Sequence, residues 1–271
     1  MNPPVVTLLT DYGPHSEYVG ALHAVLVAAD PRIVRVDLAH DIPRGDIRFG
    51  AVVLERLAGR LPAAVHLAVV DPGVGTLRRG LAVRLAGGGA LVGPDNGLLG
   101  PAATALGAVA AVALPAYPGP AATFDGRDLF APAAARLALG GVLEDLGARV
   151  DPFGIAALVA PEPDVGPGQV RAQVLGCDRF GNVQLAARAW VLDQAGLRLG
   201  AGVQIAGPAG RRAATVGRTF ADVAPGSLVV YIDSHGRLAL AERGGDAASR
   251  LDVRAGDIVT VTVTVTPAPA P

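Results

Sequence analysis

The sequence predicts an α/β protein in two parts: an α/β amino-terminal domain and a smaller all-β carboxy-terminal one. Three observations carry this expectation. Short apolar runs alternate with helical stretches through the first half, a Pro/Gly-rich segment follows, and beyond it apolar alternation punctuated by turn residues takes over. Val5 to Thr10 (VVTLLT) reads as the first strand, Tyr18 to Asp30 as a helix stopped by Pro31, and IVRVDLA as the second strand. Asp46 to Leu61 has helical spacing and Ala64 to Val70 is a third, buried strand. LAVRLA and ALVGP are further strands, and Ala131 to Leu139 is a helix. Between Ala156 and Gly168, LVAPEPDVGPG carries three prolines and two glycines and suits a linker, placing a boundary near Pro163. The expected domains are residues 1–162 and 163–265, followed by a Pro/Ala tail at 266–271. In the second domain QVRAQVLG, NVQLA, GVQIA, SLVVYI, RLALAE and IVTVTVTV are strands of a small barrel or sandwich.

Composition narrows the chemistry. With 271 residues the chain is long enough to bury a substantial core. The single cysteine, Cys177, excludes an intramolecular disulfide, and no paired Cys/His motif suggests structural zinc. The five histidines are scattered, and VDLAHD, the one plausible ligand cluster, reads as a strand end, so no metal is expected. Formal charge is −1 and all 23 basic residues are arginine, which argues against a nucleic-acid partner and excludes Schiff-base and P-loop lysine chemistry. No basic-then-apolar leader and no bilayer-length apolar run is present. The expectation is a cytoplasmic protein with no membrane partner.

Four segments place polar residues just after apolar runs. In LLTDYG, Asp11 ends the first strand, either capping a turn or accepting both hydroxyls of a ribose diol. In DPGVGTLRR, Asp71 stands at the carboxyl end of the third strand, where open α/β sheets bind ligands, and Arg78 and Arg79 return one loop later. The glycines there permit close approach, but the G-K-[ST] ending of a nucleotide-binding P-loop is absent. In ALVGPDNGLL, Asn96 is either a tight-turn residue or a ligand contact. In TFDGRDLFAPAAARLALG a glycine loop leads into a helix. There Asp128 is a candidate N-cap, Arg127 a candidate partner for a carboxylate, and Asp125 a pocket residue or a cap. The second domain adds CDRFGNVQL, where Phe180 offers an aromatic face and Asn182 an amide matched to a purine edge. It also adds YIDSHGRLALAE, where Ser234 and His235 sit in a hairpin turn suited to a carboxylate.

Taken in order, TDYG, YVG, VDPGVGT-x-RR, GPDNGLL, TF-x-GRD-x-FAPAAA, D-x-FGN and S-H-G-x-L resemble the S-adenosyl-L-methionine (SAM) hydroxide adenosyltransferases, relatives of the bacterial fluorinase and chlorinase. The resemblance runs from Thr10 to about Leu240. It implies an α/β sandwich-type domain with a central, mostly parallel sheet, and a β-barrel-like domain after it. It also implies a homotrimer that binds substrate between one subunit's amino-terminal domain and its neighbour's carboxy-terminal domain. The implied reaction is hydrolysis of SAM: water or hydroxide attacks ribose C5′ and methionine leaves, with no cofactor, SAM being the substrate.

By the same resemblance Asp11 binds the ribose hydroxyls, Asn96 belongs to the substrate site, and Phe180 and Asn182 contact adenine. Asp178 lies beside the methionine amine, and Ser234 and His235 hold its carboxylate. Asp71 and Arg78 match two members of the hydrolases' Asp-Arg-His set, and Asp125 stands where that set has histidine. Arg243 stands where the family has an asparagine near adenine. Asp71 and Val74 replace the aromatic and threonine of the halide pocket, and a carboxylate at that place repels a halide. Two other readings stay open: a chlorinase-like halogenase, and a non-catalytic SAM- or adenosine-binding protein.

Overall fold

A computed structural model describes residues 3–116, 123–158 and 161–264. The chain divides into two compact units, Met1–Val159 and Ala160–Pro271. The tail at 266–271 lies outside the described residues. Among the described residues no helix is long and apolar enough to cross a membrane.

The first unit is built on a seven-stranded sheet. Its strands are β1 (Val5–Thr10), β2 (Val34–Ala39), β3 (Val65–Val69), β4 (Gly80–Leu85), β5 (Ala90–Pro94), β6 (Ala108–Leu114) and β7 (Ala148–Val150), in the order β2-β1-β3-β5-β4-β6-β7. The helices are α1 (Glu17–Ala29), α2 (Ile47–Ala58), α3 (Gly100–Leu106) and α4 (Ala131–Ala138). Strand alternation sorts the buried residues into two cores. Val6, Leu8, Val65 and Leu67 pack with Leu22 and Leu26 of α1 and Ala134 of α4. Leu9, Ala68 and Leu81 pack with Leu54 of α2 and Ala102 of α3 on the other face. Between β1 and β3, the fully buried Thr7 and His66 face each other in register and share a 2.8 Å hydrogen bond. Burial pushes His66 down to about 4, so this imidazole is neutral at physiological pH.

The parallel order expected from the crossover pattern holds for β2, β1, β3 and β5, the half of the sheet whose carboxyl ends carry Asp11 and Asp71. The other half is antiparallel, β4 pairing with β5 and β6, and β6 with β7. The reason is local: β4 and β5 are joined by the tight turn Ala86–Gly89, too short for a crossover.

The second unit contains β8 (Asp164–Gly166), β9 (Gln169–Cys177), β10 (Val183–Arg188), β11 (Gly202–Gly207), β12 (Gly210–Val216), β13 (Leu228–Ile232), β14 (Arg237–Glu242) and β15 (Ile258–Val263), with short helices α5 (Trp190–Ala195) and α6 (Ala247–Leu251). The ladder β10-β14-β13-β12-β11-β15-β9 is closed by β9 pairing with β10, giving a seven-stranded barrel around Val174, Leu185, Ile205, Val230, Leu240 and Val261. Closure removes the sheet edges, which resolves barrel against sandwich. The segment expected as linker is partly a strand, because Pro167 and Gly168, the latter at φ +71°, turn β8 back onto β9.

Candidate active site

The first unit converges on Asp71. Strand β3 is fully buried and ends two residues before it, so its carboxylate emerges at the carboxyl edge of the sheet with a side chain only 5% exposed. The turn Pro72–Gly75 reverses the chain and returns Arg78, whose Nε donates to Asp71 Oδ1 at 3.2 Å while its Nη2 donates to Asp71 Oδ2. The same Nη2 donates to Asp125 Oδ2 at 2.5 Å. One guanidinium, 9% exposed, therefore serves two carboxylates, and its carbon lies 5.3 Å from the centre of the Phe130 ring. Burial is the largest influence on Asp71 and raises its pKa. Arg78 opposes that shift and the neighbouring Asp125 adds to it. The raised direction is the physical expectation for two buried carboxylates sharing one cation.

Asp125 precedes a π-helical turn, Gly126–Phe130, that runs directly into α4. It occupies the N-cap place yet makes no side-chain capping bond, because its carboxylate reaches Arg78 instead. The N-cap expected at Asp128 is thus one turn too late: Asp128 lies inside the turn and is gripped by Arg127 at 2.6 and 2.7 Å, the carboxylate partner anticipated for that arginine. The π-turn adds a residue to the helical repeat and leaves no ordinary cap position at Asp128.

Asp11 follows β1 and accepts from the Gly45 amide at 2.8 Å, a bond that ties the ends of β1 and the β2–α2 loop together. Asn96 spends both ends of its amide on backbone, donating to Val70 O at 2.9 Å and accepting from Leu98 N at 3.1 Å. It thereby braces the residue before Asp71. Arg79 does not join the pair of carboxylates but forks onto Asp95 at 2.5 and 3.1 Å.

The sequence reading missed Tyr12. Its ionisation is pushed well above the ordinary phenol value, first by burial and then by the negative charges of Asp11, Asp71 and Asp125. A β-carbon on Gly126 would stand 2.5 Å from the Tyr12 hydroxyl, so only glycine lets the two meet. Tyr12, Tyr18 and Phe124 form a cluster with ring centres 5.0–5.8 Å apart. The available signal was an aromatic directly after a strand-end aspartate, in TDYG, matched by a second before Asp125, in TFDG. Three carboxylates and aromatic faces against one arginine make this a place for a cation.

The second unit has its own polar cluster. Asp178 organises the loop DRFGN: Oδ1 accepts from the amides of Phe180 and Asn182 at 2.8 and 3.0 Å, and Oδ2 accepts from Asn182 Nδ2 at 2.8 Å. Gly181, at φ +78° with Asp246 packed behind it, lets the loop turn and presents Phe180 63% exposed under the Arg179 guanidinium. Ser234 and His235 are exposed in the β13–β14 turn, which Asp233 Oδ1 holds through the amides of His235 and Arg237 at 2.8 and 2.9 Å. Tyr231, on the strand that leads into this turn, is pushed up to about 12 by burial and then by the charges of Asp233 and Asp178. Arg243 turns away to the carbonyl of Val223 at 2.7 Å.

Residues 6–147 match the SAM hydroxide adenosyltransferase N-terminal domain and residues 172–260 the corresponding C-terminal domain. An (R)-S-adenosyl-L-methionine hydrolase of Salinispora arenicola is 48% identical over 95% of this chain and 97% of its own length. A fluorinase of an Actinoplanes species is 28% identical over 95% and 97%. Among solved structures, an uncharacterised conserved protein from Thermotoga maritima superposes with a TM-score of 0.86 at 32% identity, covering 95% of this chain and 99% of that one. The chain belongs to the SAM hydroxide adenosyltransferase family.

Proposed function

We propose that this protein hydrolyses SAM to adenosine and methionine. The observation that carries the reading is the buried Asp71–Arg78–Asp125 group at the end of the parallel part of the sheet, whose excess of negative charge, felt also by Tyr12, suits a sulfonium substrate. Water attacks C5′ of the ribose, the C5′–S bond breaks towards sulfur, and the departing methionine takes the electron pair while the proton of the water leaves through Asp71. The positive sulfur is already a good leaving group, so the enzyme has only to position and partly deprotonate a water in a dry site. Arg78 commits Nε and Nη2 to the carboxylates, so Nη1 is the nitrogen assigned to the developing hydroxide. Asp125 takes the place of histidine as second holder of the water, and Asp11 binds the ribose hydroxyls.

Phe180 and Asn182 are assigned to adenine, Asp178 to the methionine amine, and Ser234 and His235 to its carboxylate. A neighbouring subunit of a homotrimer contributes this second set. Asn96 acts on the substrate site through its brace on Val70. The reaction balances with water alone, so no cofactor is part of the proposal.

Incubation with SAM, followed by chromatography, should yield adenosine and methionine in equal amounts. Bound SAM without either product would replace the hydrolase with a binding protein. At high chloride no 5′-chlorinated nucleoside should form, because Asp71 repels the halide; finding one would restore the halogenase reading. Phe180→Ala removes a stacking face of about 1–3 kcal/mol, so KM for SAM should rise roughly tenfold or more with kcat little changed. Asp125→Asn should cost roughly tenfold to a hundredfold in kcat, the low end of acid–base assistance. It removes a negative neighbour that raises Asp71, so the acid limb of the pH–rate profile should move to lower pH. Wild-type kcat and an unmoved acid limb would take Asp125 out of the mechanism.

A further inference from the structure

The first unit holds a second cluster of chemistry-bearing side chains that the proposed reaction does not use. Asp37 of β2 and His40 just beyond it come from VDLAHD, and helix α1 adds His23, which no local sequence pattern joins to them. His23 Nε2 lies 2.9 Å from Asp37 Oδ1, and His40 Nε2 lies 3.1 Å from the same oxygen. All three ligand atoms fall within 4.8 Å of one another.

The two distances to the carboxylate oxygen match edges of a coordination polyhedron. Metal–nitrogen and metal–oxygen bonds of about 2.0–2.1 Å place neighbouring ligands roughly 2.9 Å apart at right angles and roughly 3.3 Å apart at tetrahedral ones. Hydrogen bonds onto the carboxylate account for His23 equally well, whereas the His40 contact is the less regular of the two. The His40 side chain is 6% exposed, and its Nε2 lies 3.1 Å from Asp37 Oδ1 without regular hydrogen-bond geometry, so this contact satisfies the buried nitrogen only in part. The far side of the ring is already fixed, with Nδ1 and Thr10 Oγ1 2.8 Å apart, the outer-shell contact that orients a ligating imidazole. His23 and Asp37 are 32% and 46% exposed, which gives an ion a route in from solvent.

We propose that His23 Nε2, Asp37 Oδ1 and His40 Nε2 bind one divalent transition-metal ion of the zinc class. Two imidazoles and one carboxylate on one face leave further positions for water, the donor set that suits Zn²⁺ and its first-row neighbours rather than Ca²⁺ or Mg²⁺. The ion ties α1 to the end of β2 and, through His40 and Thr10, to the strand end that carries Asp11. Its role is therefore to stiffen that edge of the sheet rather than to take part in bond breaking.

The test uses the full-length, tag-free protein stripped of metal, titrated with Zn²⁺ by calorimetry and with Co²⁺ by visible absorption. One ion per chain is expected, with Co²⁺ d–d bands displaced by Zn²⁺ and a Tm that rises with added Zn²⁺. His40 is buried and its replacement endangers folding, so the variants are His23→Gln and Asp37→Asn at the exposed side of the site. Each should retain the wild-type circular dichroism spectrum and bind Zn²⁺ roughly 10- to 100-fold more weakly, at least the loss seen on disturbing an outer-shell partner. Absence of saturable one-to-one Zn²⁺ binding in the wild type overturns the proposal, as does wild-type affinity in either variant. Both readouts are independent of SAM turnover.

Discussion

Asp71→Asn is expected to lower kcat for SAM hydrolysis roughly 10²- to 10⁴-fold, the span of positioned proton acceptors, with SAM affinity changed little. Asparagine keeps the shape at the end of β3 and can still accept from Arg78, but it cannot take a proton from the attacking water. The variant also tests the electrostatics. Asp71 is raised by burial, with Arg78 opposing and Asp125 reinforcing the shift, so the wild-type rate should fall as pH drops through a value higher than that of an ordinary aspartate. That acid limb should be missing from the residual activity of Asp71→Asn. The stability linkage has the same origin. A carboxyl raised in the folded state contributes stability that is present below the unfolded carboxylate pKa and is lost as pH climbs through the raised folded one. In the variant this loss is absent, so the stability difference between variant and wild type should grow in the variant's favour across that window. Urea titrations at several pH values read it directly.

Arg78→Ala should be the more disruptive change. Removing one partner of a buried pair typically costs about 3–5 kcal/mol, and here a single deletion strands two carboxylates at once. The expected outcome is a clear fall in Tm together with a kcat loss of roughly 10²- to 10³-fold, the usual cost of one donor to a developing oxyanion. Added guanidinium ion distinguishes the catalytic from the structural contribution. Partial rescue of kcat at a concentration that does not raise Tm marks a catalytic role, whereas recovery of Tm alone assigns Arg78 to stability.

The parts of this fold that were legible in the sequence are those where one physical signal dominates. ALVGP at 90–94 and Ala131 onward are read to the residue because an apolar run ends at a proline or begins at a helix-initiating one. Helix α2 is framed by Asp46, which accepts from the Phe49 amide as its cap. Strand β6, AVAAVAL, was not anticipated, because alanine serves helix and strand alike and only its pairing with β4 decides. Strand β12 was hidden for a different reason: two adjacent arginines, Arg211 and Arg212, interrupt the apolar alternation at the start of the strand.

The site divides along the same line. Asp71 with Arg78 was legible because only the six residues of a glycine-containing turn separate them. Asp125 was legible only as a position, since its bond to Arg78 spans 47 residues. Tyr12, the aromatic cluster and the His23 contribution to the second cluster were not legible, because each depends on helix α1 or the π-turn packing across a strand end.

The central claim is that water itself attacks the ribose carbon. Single-turnover hydrolysis of SAM in H₂¹⁸O, with mass analysis of the products, tests it most directly. The account predicts ¹⁸O at the 5′ oxygen of adenosine and unlabelled methionine; adenosine without the label, or methionine released without adenosine, would contradict it.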